Sequence, residues 1–188
     1  MSLWVCVILC VSHTTSLPIT CQLNGNLVKR SHELLRSMGG PFPRKCIKDN
    51  VMVPFPAVAF RSDGTDAVRT SQKVLTMLIN ETFSSITSLF GDRDLPAEWE
   101  PKALEDFQSE VYRLSDDLGH CAERLQGLRD EAKSHFLERA KLVETYFDKL
   151  DTTLQEKNYS FCAWEIVRKE LERTLRFIVE HSADFLWP

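Results

Sequence analysis

The chain has 188 residues, 27% of them charged, with 27 acidic against 23 basic side chains and a net charge of −4. That length suits one domain, and the acidic balance argues against nucleic acid as a partner. No segment approaches the ~20 apolar residues that a membrane span needs, so membrane insertion is not expected.

In chain order, Leu3 to Val11 is a short apolar run followed by small residues at Thr14 and Ser16. This pattern reads as a secretory signal peptide over residues 1–20, cleaved between about 16 and 20, ahead of a single helical domain over residues 21–188. Cleavage would remove Cys6 and Cys10 and leave Cys21, Cys46, Cys121 and Cys162. An even set in a secreted chain implies two disulfides, and composition leaves the three pairings open. Two sequons, at Asn80 and Asn158, mark expected glycosylation sites.

Leu23, Leu27, Leu34 and Met38 keep a helical period up to Gly39-Gly40-Pro41, a glycine C-cap followed by proline. From Pro41 to Gly64 the prolines at 41, 43, 54 and 56 break any helical period, although Val51 to Phe60 is locally apolar. This reads as a long crossover loop, which in a compact domain signals function or parallel neighbouring helices. A second helix follows Thr65 as N-cap, with Val68, Leu75, Ile79, Ile86 and Phe90 on its inner face. Asn80 falls off that face with Lys73 and Ser84, where a glycan should fit. The third helix starts at Trp99-Glu100-Pro101 and carries Leu104, Phe107, Val111, Leu114 and Leu118; Gly119 and Gly127 bracket Cys121. A fourth runs from about Leu128 through Ala132, Phe136, Val143, Phe147, Leu150 and Leu154, ending before Asn158.

In the last helix, Trp164, Val167, Leu171, Leu175, Ile178 and Phe185 fall within about 40° of Leu171 on a helical wheel. Lys169, Arg173 and Arg176 form an opposite basic stripe beside Glu165, Glu172 and Glu180. Glu165 with Lys169, and Glu172 with Arg176, are spaced as i, i+4 ion pairs. Ile166 and Phe177 lie off the core stripe, which predicts that another helix covers them, the alternative being that they are apolar parts of the binding site.

With no strand-like alternation, the fold class is all-α: five helices in an up-up-down-down bundle with a long crossover between the first two. Short connections predict the third and fourth helices, and the fourth and fifth, as antiparallel neighbours. No phosphate loop, nucleophile elbow or paired Cys-x-x-Cys occurs, so neither enzyme activity nor a cofactor or metal is expected. Glu131 and His135 read as a solvated pair, and Cys162 as a disulfide cysteine rather than a nucleophile.

The stretch Tyr146-Phe147-Asp148-Lys149-Leu150, then Asn158-Tyr159-Ser160-Phe161-Cys162-Ala163-Trp164-Glu165, resembles the type I interferon signature, an aromatic-rich helix end leading to Cys-Ala-Trp-Glu. Trp99, Phe107, Val111, Tyr112, Leu114, Leu118 and Cys121 resemble that family's third helix and its cysteine. With four cysteines, the chain looks like a fish member with two disulfides. The resemblance implies the pairings Cys21–Cys121 and Cys46–Cys162, and a secreted antiviral cytokine, expected as a monomer, that bridges two class II receptor chains of the interferon alpha/beta type. It further implies that the high-affinity chain meets Ile47 and Lys48 beside Cys46, together with Arg168, Lys169, Glu172, Arg173 and Arg176. Asn50 and Glu172 depart from the family pattern, which has a basic and an apolar residue at those positions. The second receptor chain would meet the second, third and fourth helices. The competing readings are another helical-bundle cytokine or hormone, which should lack Cys-Ala-Trp, and an amphipathic lipid binder, which would not need two long-range disulfides.

Overall fold

The computed structural model describes residues 23–61, 68–91, 93–124 and 130–186. The leader, Cys21, the Thr65 cap and Gly127 lie outside them. Five α-helices appear: α1 Gly25–Gly39, α2 Val68–Leu89, α3 Pro101–Arg124, α4 Asp130–Glu156 and α5 Phe161–Leu186, with no strand among the described residues. The crossover contains two short 3-10 helices, Arg44–Asp49 and Ala57–Phe60, where the prolines predict only loop.

Local chemistry accounts for the helix ends. Asn24 caps α1, its Oδ1 accepting from the Leu27 amide at 3.3 Å. At the other end Gly40 takes φ +63°, a region costly for residues with a Cβ, and its N–H reaches Arg36 O at 2.9 Å. Pro101 opens α3, and the Glu100 carboxylate accepts from the amides of Lys102 and Ala103 at 3.0 and 2.6 Å. The Glu100 N–H donates to Met38 O at 2.8 Å, which satisfies a terminal carbonyl of α1 and fixes the two helices together. Between α4 and α5, Asn158 and Tyr159 both adopt positive φ, and Ser160 caps α5 by accepting from the Ala163 amide at 3.3 Å.

The apolar stripes converge on one core. Leu35, Leu78, Phe83, Ile86, Phe107, Leu114, Leu150, Leu154, Trp164, Leu171 and Leu175 are all fully buried. Phe90, Trp99, Phe107 and Trp164 form an aromatic cluster with centroids 5.2 to 6.2 Å apart. Around this core the helices pack in the ring order α1, α3, α2, α4, α5, closed by α1 against α5. Here α3 and α4 depart from the expected adjacency, because α2 stands between them. A short connection constrains only the helix ends it joins, and α2 has apolar residues enough to separate their bodies. Ile166 is fully buried, while Phe177 is half-buried and packs against Phe55 and Phe60 of the crossover, at 5.3 and 5.9 Å.

Candidate functional site

The crossover lies along α5 and is attached to it at three places. Cys46, buried on the first 3-10 helix, is disulfide-bonded to Cys162 in the first turn of α5. Lys45 reinforces this point, with its Nζ 4.0 Å from the Phe161 ring centroid. Further along, Lys169 Nζ donates to Asn50 Oδ1 and to Val51 O, at 3.1 Å for the latter, while pairing with Glu170 at 2.9 Å. The third attachment is aromatic: Phe55 packs edge-on to Tyr146 at 5.4 Å and against Phe60 and Phe177. Tyr146 in turn hydrogen-bonds Thr174 at 2.9 Å, and burial pushes its phenol above the ordinary tyrosine range.

Pinned this way, the crossover turns apolar side chains outward. Met52 is 74% exposed and Ile47 61%, with Val51 and Val58 also exposed. Beside them run the exposed residues of α5. Arg173 is held 3.3 Å from the buried Glu170, and Arg176 is exposed. Half-buried Glu172 pairs with Arg36 of α1 at 3.4 Å. Glu33, Arg36, Ser37, Gly40, Pro41, Phe42 and Glu172 line an open groove between α1 and α5. Ile47, Lys48, Lys169, Glu172, Arg173 and Arg176 therefore gather on one side of the bundle. Sequence reasoning named Asn50 only as a departure from the family pattern and did not single out Val51, Met52 or Phe42. The signal for them was the apolar stretch from Val51 onward, in a segment with no helical period to bury it.

Arg168 requires a correction. Expected at the receptor face, it is only 1% exposed and bonds Glu165 through Nε at 3.0 Å and Nη2 at 2.7 Å. Its Nη1 donates to Leu35 O at 3.1 Å and its Nη2 to Gly40 O at 2.8 Å. The guanidinium thus closes the negative end of α1 and fixes the point where the crossover begins. Glu165, placed on the charged side by the wheel, is fully buried, pairs with Arg168 rather than Lys169, and accepts from Trp99 Nε1 at 2.5 Å. The clue was spacing: Arg168 stands four residues after Trp164 and three before Leu171, on the side of two core residues.

The remaining expected sites divide. Cys121 is disulfide-bonded, and its expected partner Cys21 lies outside the described residues. Asn158 is exposed on its turn. Asn80, expected to leave room for a glycan, is instead half-buried, its Oδ1 enclosed with no hydrogen-bond partner and facing Gly119 of α3. One turn on, Ser84 hydrogen-bonds Ser115 of α3 at 3.0 Å, so the side of α2 assigned to solvent forms part of a helix seam.

Comparison with known proteins agrees with this architecture. A family model described as "Interferon alpha/beta domain" matches residues 21–184. Human interferon alpha-7 is 33% identical over 175 residues, covering 91% of this chain and 89% of the relative. Human interferon alpha-17 is 35% identical over 150 residues, covering 79% and 76%. The solved structure of zebrafish interferon 2 superposes with a TM-score of 0.73 at 35% identity, covering 84% of this chain and 98% of that one. Zebrafish interferon 1, at 22% identity and a TM-score of 0.59 over 82% and 90% of the two chains, supports the fold. The chain belongs to the type I interferon family, alpha/beta-like helical-bundle cytokines and not enzymes.

Proposed function

We propose that this protein is a secreted antiviral cytokine, exported by its residue 1–20 leader, that bridges two class II receptor chains and brings their associated kinases together. The high-affinity chain meets the crossover at Ile47, Lys48, Val51 and Met52 and α5 at Lys169, Glu172, Arg173 and Arg176. The second chain meets α2, α3 and α4, where Tyr112 and Leu142 are exposed. A monomer suffices for this bridging.

The observation that carries the reading is the attachment of an otherwise irregular segment to α5 at three points, with large apolar side chains left outward. Exposed Ile and Met beside cationic side chains make a surface of the kind that protein partners desolvate, and a fixed backbone lowers the ordering cost of that contact. Arg168 acts in this scheme as a positioning residue behind the face.

The test leaves Lys169 alone, because that residue also holds the crossover. Ile47→Ser combined with Met52→Ser, measured by surface plasmon resonance against both receptor ectodomains, should weaken one complex by about tenfold or more. The other complex and the helical circular dichroism should not change. Full binding of the double variant to both ectodomains would remove the site assignment.

A further inference from the structure

Of the two sequons, only one is presented as a modification site requires. We infer that the mature protein carries a single N-linked glycan, on Asn158 in the turn between α4 and α5, and none on Asn80. The inference goes beyond receptor binding and rests on the secretory reading, since the sugar is added during export.

The transfer makes a bond between the side-chain amide nitrogen of asparagine and C1 of N-acetylglucosamine. It breaks the C1–O bond to a polyisoprenyl diphosphate donor and releases that diphosphate with one amide proton. The product is bulky and hydrated, so the final fold must leave the amide in solvent. Asn158 meets that demand. The residue is exposed at φ 51° and Tyr159 follows, exposed, at φ 52°. Ser160, the hydroxyl residue of the sequon, is exposed too. The backbone here is a tight turn, with the Asn158 N–H on Gln155 O at 3.0 Å and the Ser160 N–H on Lys157 O at 3.1 Å. No helix has to open to admit a sugar.

Asn80, half-buried in the middle of α2, is presented quite differently. Its Oδ1 is buried toward α3, where a Cβ added to Gly119 would come within 3.9 Å of it. Thr82, the hydroxyl residue of that sequon, is fully buried and donates back to Leu78 O at 2.9 Å. The Ser84–Ser115 hydrogen bond holds the adjoining turn of the seam closed. A sugar on Nδ2 of the same carboxamide would start at the edge of that seam, beside α3, whereas one on Asn158 starts in open solvent.

Both Asn158 and Ser160 have local structural roles, so the test uses substitutions that keep them. Asn158→Gly retains a residue at ease at positive φ, and Ser160→Asp retains the helix cap, while each destroys the acceptor. The full chain with its own leader is expressed in cultured animal cells. Secreted protein is treated with peptide N-glycosidase in heavy-oxygen water and mapped by peptide mass spectrometry. The expected result is label at position 158 alone, one glycosidase-sensitive gel shift in the wild type and in Asn80→Gln, and no shift in Asn158→Gly or Ser160→Asp. Label at position 80, or secreted wild-type protein without sugar on Asn158, overturns the assignment while leaving the cytokine reading intact. A chain retained inside the cell without sugar overturns it together with the secretory reading.

Discussion

Replacing Arg168 by methionine tests whether this residue positions the site or belongs to the contact surface. Methionine keeps an unbranched apolar stem of comparable reach, so most packing survives and the main loss is the guanidinium. Four hydrogen bonds disappear, two to Glu165 and one each to Leu35 O and Gly40 O. Glu165, fully buried, is left as a carboxylate with Trp99 Nε1 as its remaining side-chain donor. Removing one partner of a buried ion pair costs about 3–5 kcal/mol. For a domain of this size that corresponds to a fall in Tm of about 6–20 °C, measured by circular dichroism melting with urea unfolding as the second assay. Adding Glu165→Gln removes the stranded charge, keeps an acceptor for Trp99, and should recover half or more of the loss. A loss below about 1 kcal/mol, the range of exposed pairs, together with weakened receptor binding would refute the argument and return Arg168 to the surface.

Three further outcomes follow from the same region. Gly39→Ala places a Cβ 2.5 Å from Arg168 Nε and 2.8 Å from Glu165 Oε1, so denaturant unfolding should show a loss of about 1–3 kcal/mol; an unchanged midpoint would mean that the pair shifts freely. Cys46→Ser with Cys162→Ser opens a bridge spanning 116 residues, worth up to about 4–5 kcal/mol in the chain-entropy model. The same pair should weaken receptor binding, and full affinity of the folded double variant would dismiss preorganisation by the clamp. His32, on α1, has its pKa lowered from 6.5, chiefly by burial, with Arg36 and Arg176 adding to the effect and Glu172 opposing it. The folded state therefore binds fewer protons there than the unfolded chain, and this stability is present above pH 6.5 and lost as pH falls through 6.5 toward the lowered value. Melting temperatures from about pH 7.5 to 5 should fall less steeply for His32→Gln than for wild type, and parallel curves would exclude His32 as the cause.

The five helices were legible because each has an apolar period, with chemical stops at Gly39-Gly40-Pro41 after α1 and at Pro101 opening α3. Burial all around a helix was harder to read. A wheel divides a helix into an inner and an outer face, yet α5 meets α1, α2, α4 and the crossover, so Glu165, Ile166 and Arg168 are all enclosed. The same assumption assigned Asn80 and Ser84 to solvent, where α3 packs with Gly119 at the seam. The crossover was legible as a loop with a function, and its Cys46–Cys162 attachment as what the resemblance implies, but the other two attachments were not. They join residues more than 80 positions apart, and no local pattern encodes such a partnership: Lys169 with Asn50, Phe177 with Phe55, Tyr146 with Phe55.

Those attachments also explain how a segment with little regular hydrogen bonding can serve as a recognition surface. Fixing backbone costs about 1–2 kcal/mol per residue, and a loop from residue 41 to 61 left free would meet that cost at the moment of binding. Here the cost falls at folding instead. The disulfide limits the unfolded ensemble, half-buried Phe55 and Phe60 supply aromatic contact, and the Arg168 guanidinium fixes the departure point at Gly40. What remains outward, Ile47 and Val51 to Met52, is carried on a backbone already in place. A substitution at Phe55, which touches none of these residues among the ring contacts described, should therefore reduce receptor affinity through the crossover alone, whereas one at Met52 should act directly and leave stability unchanged.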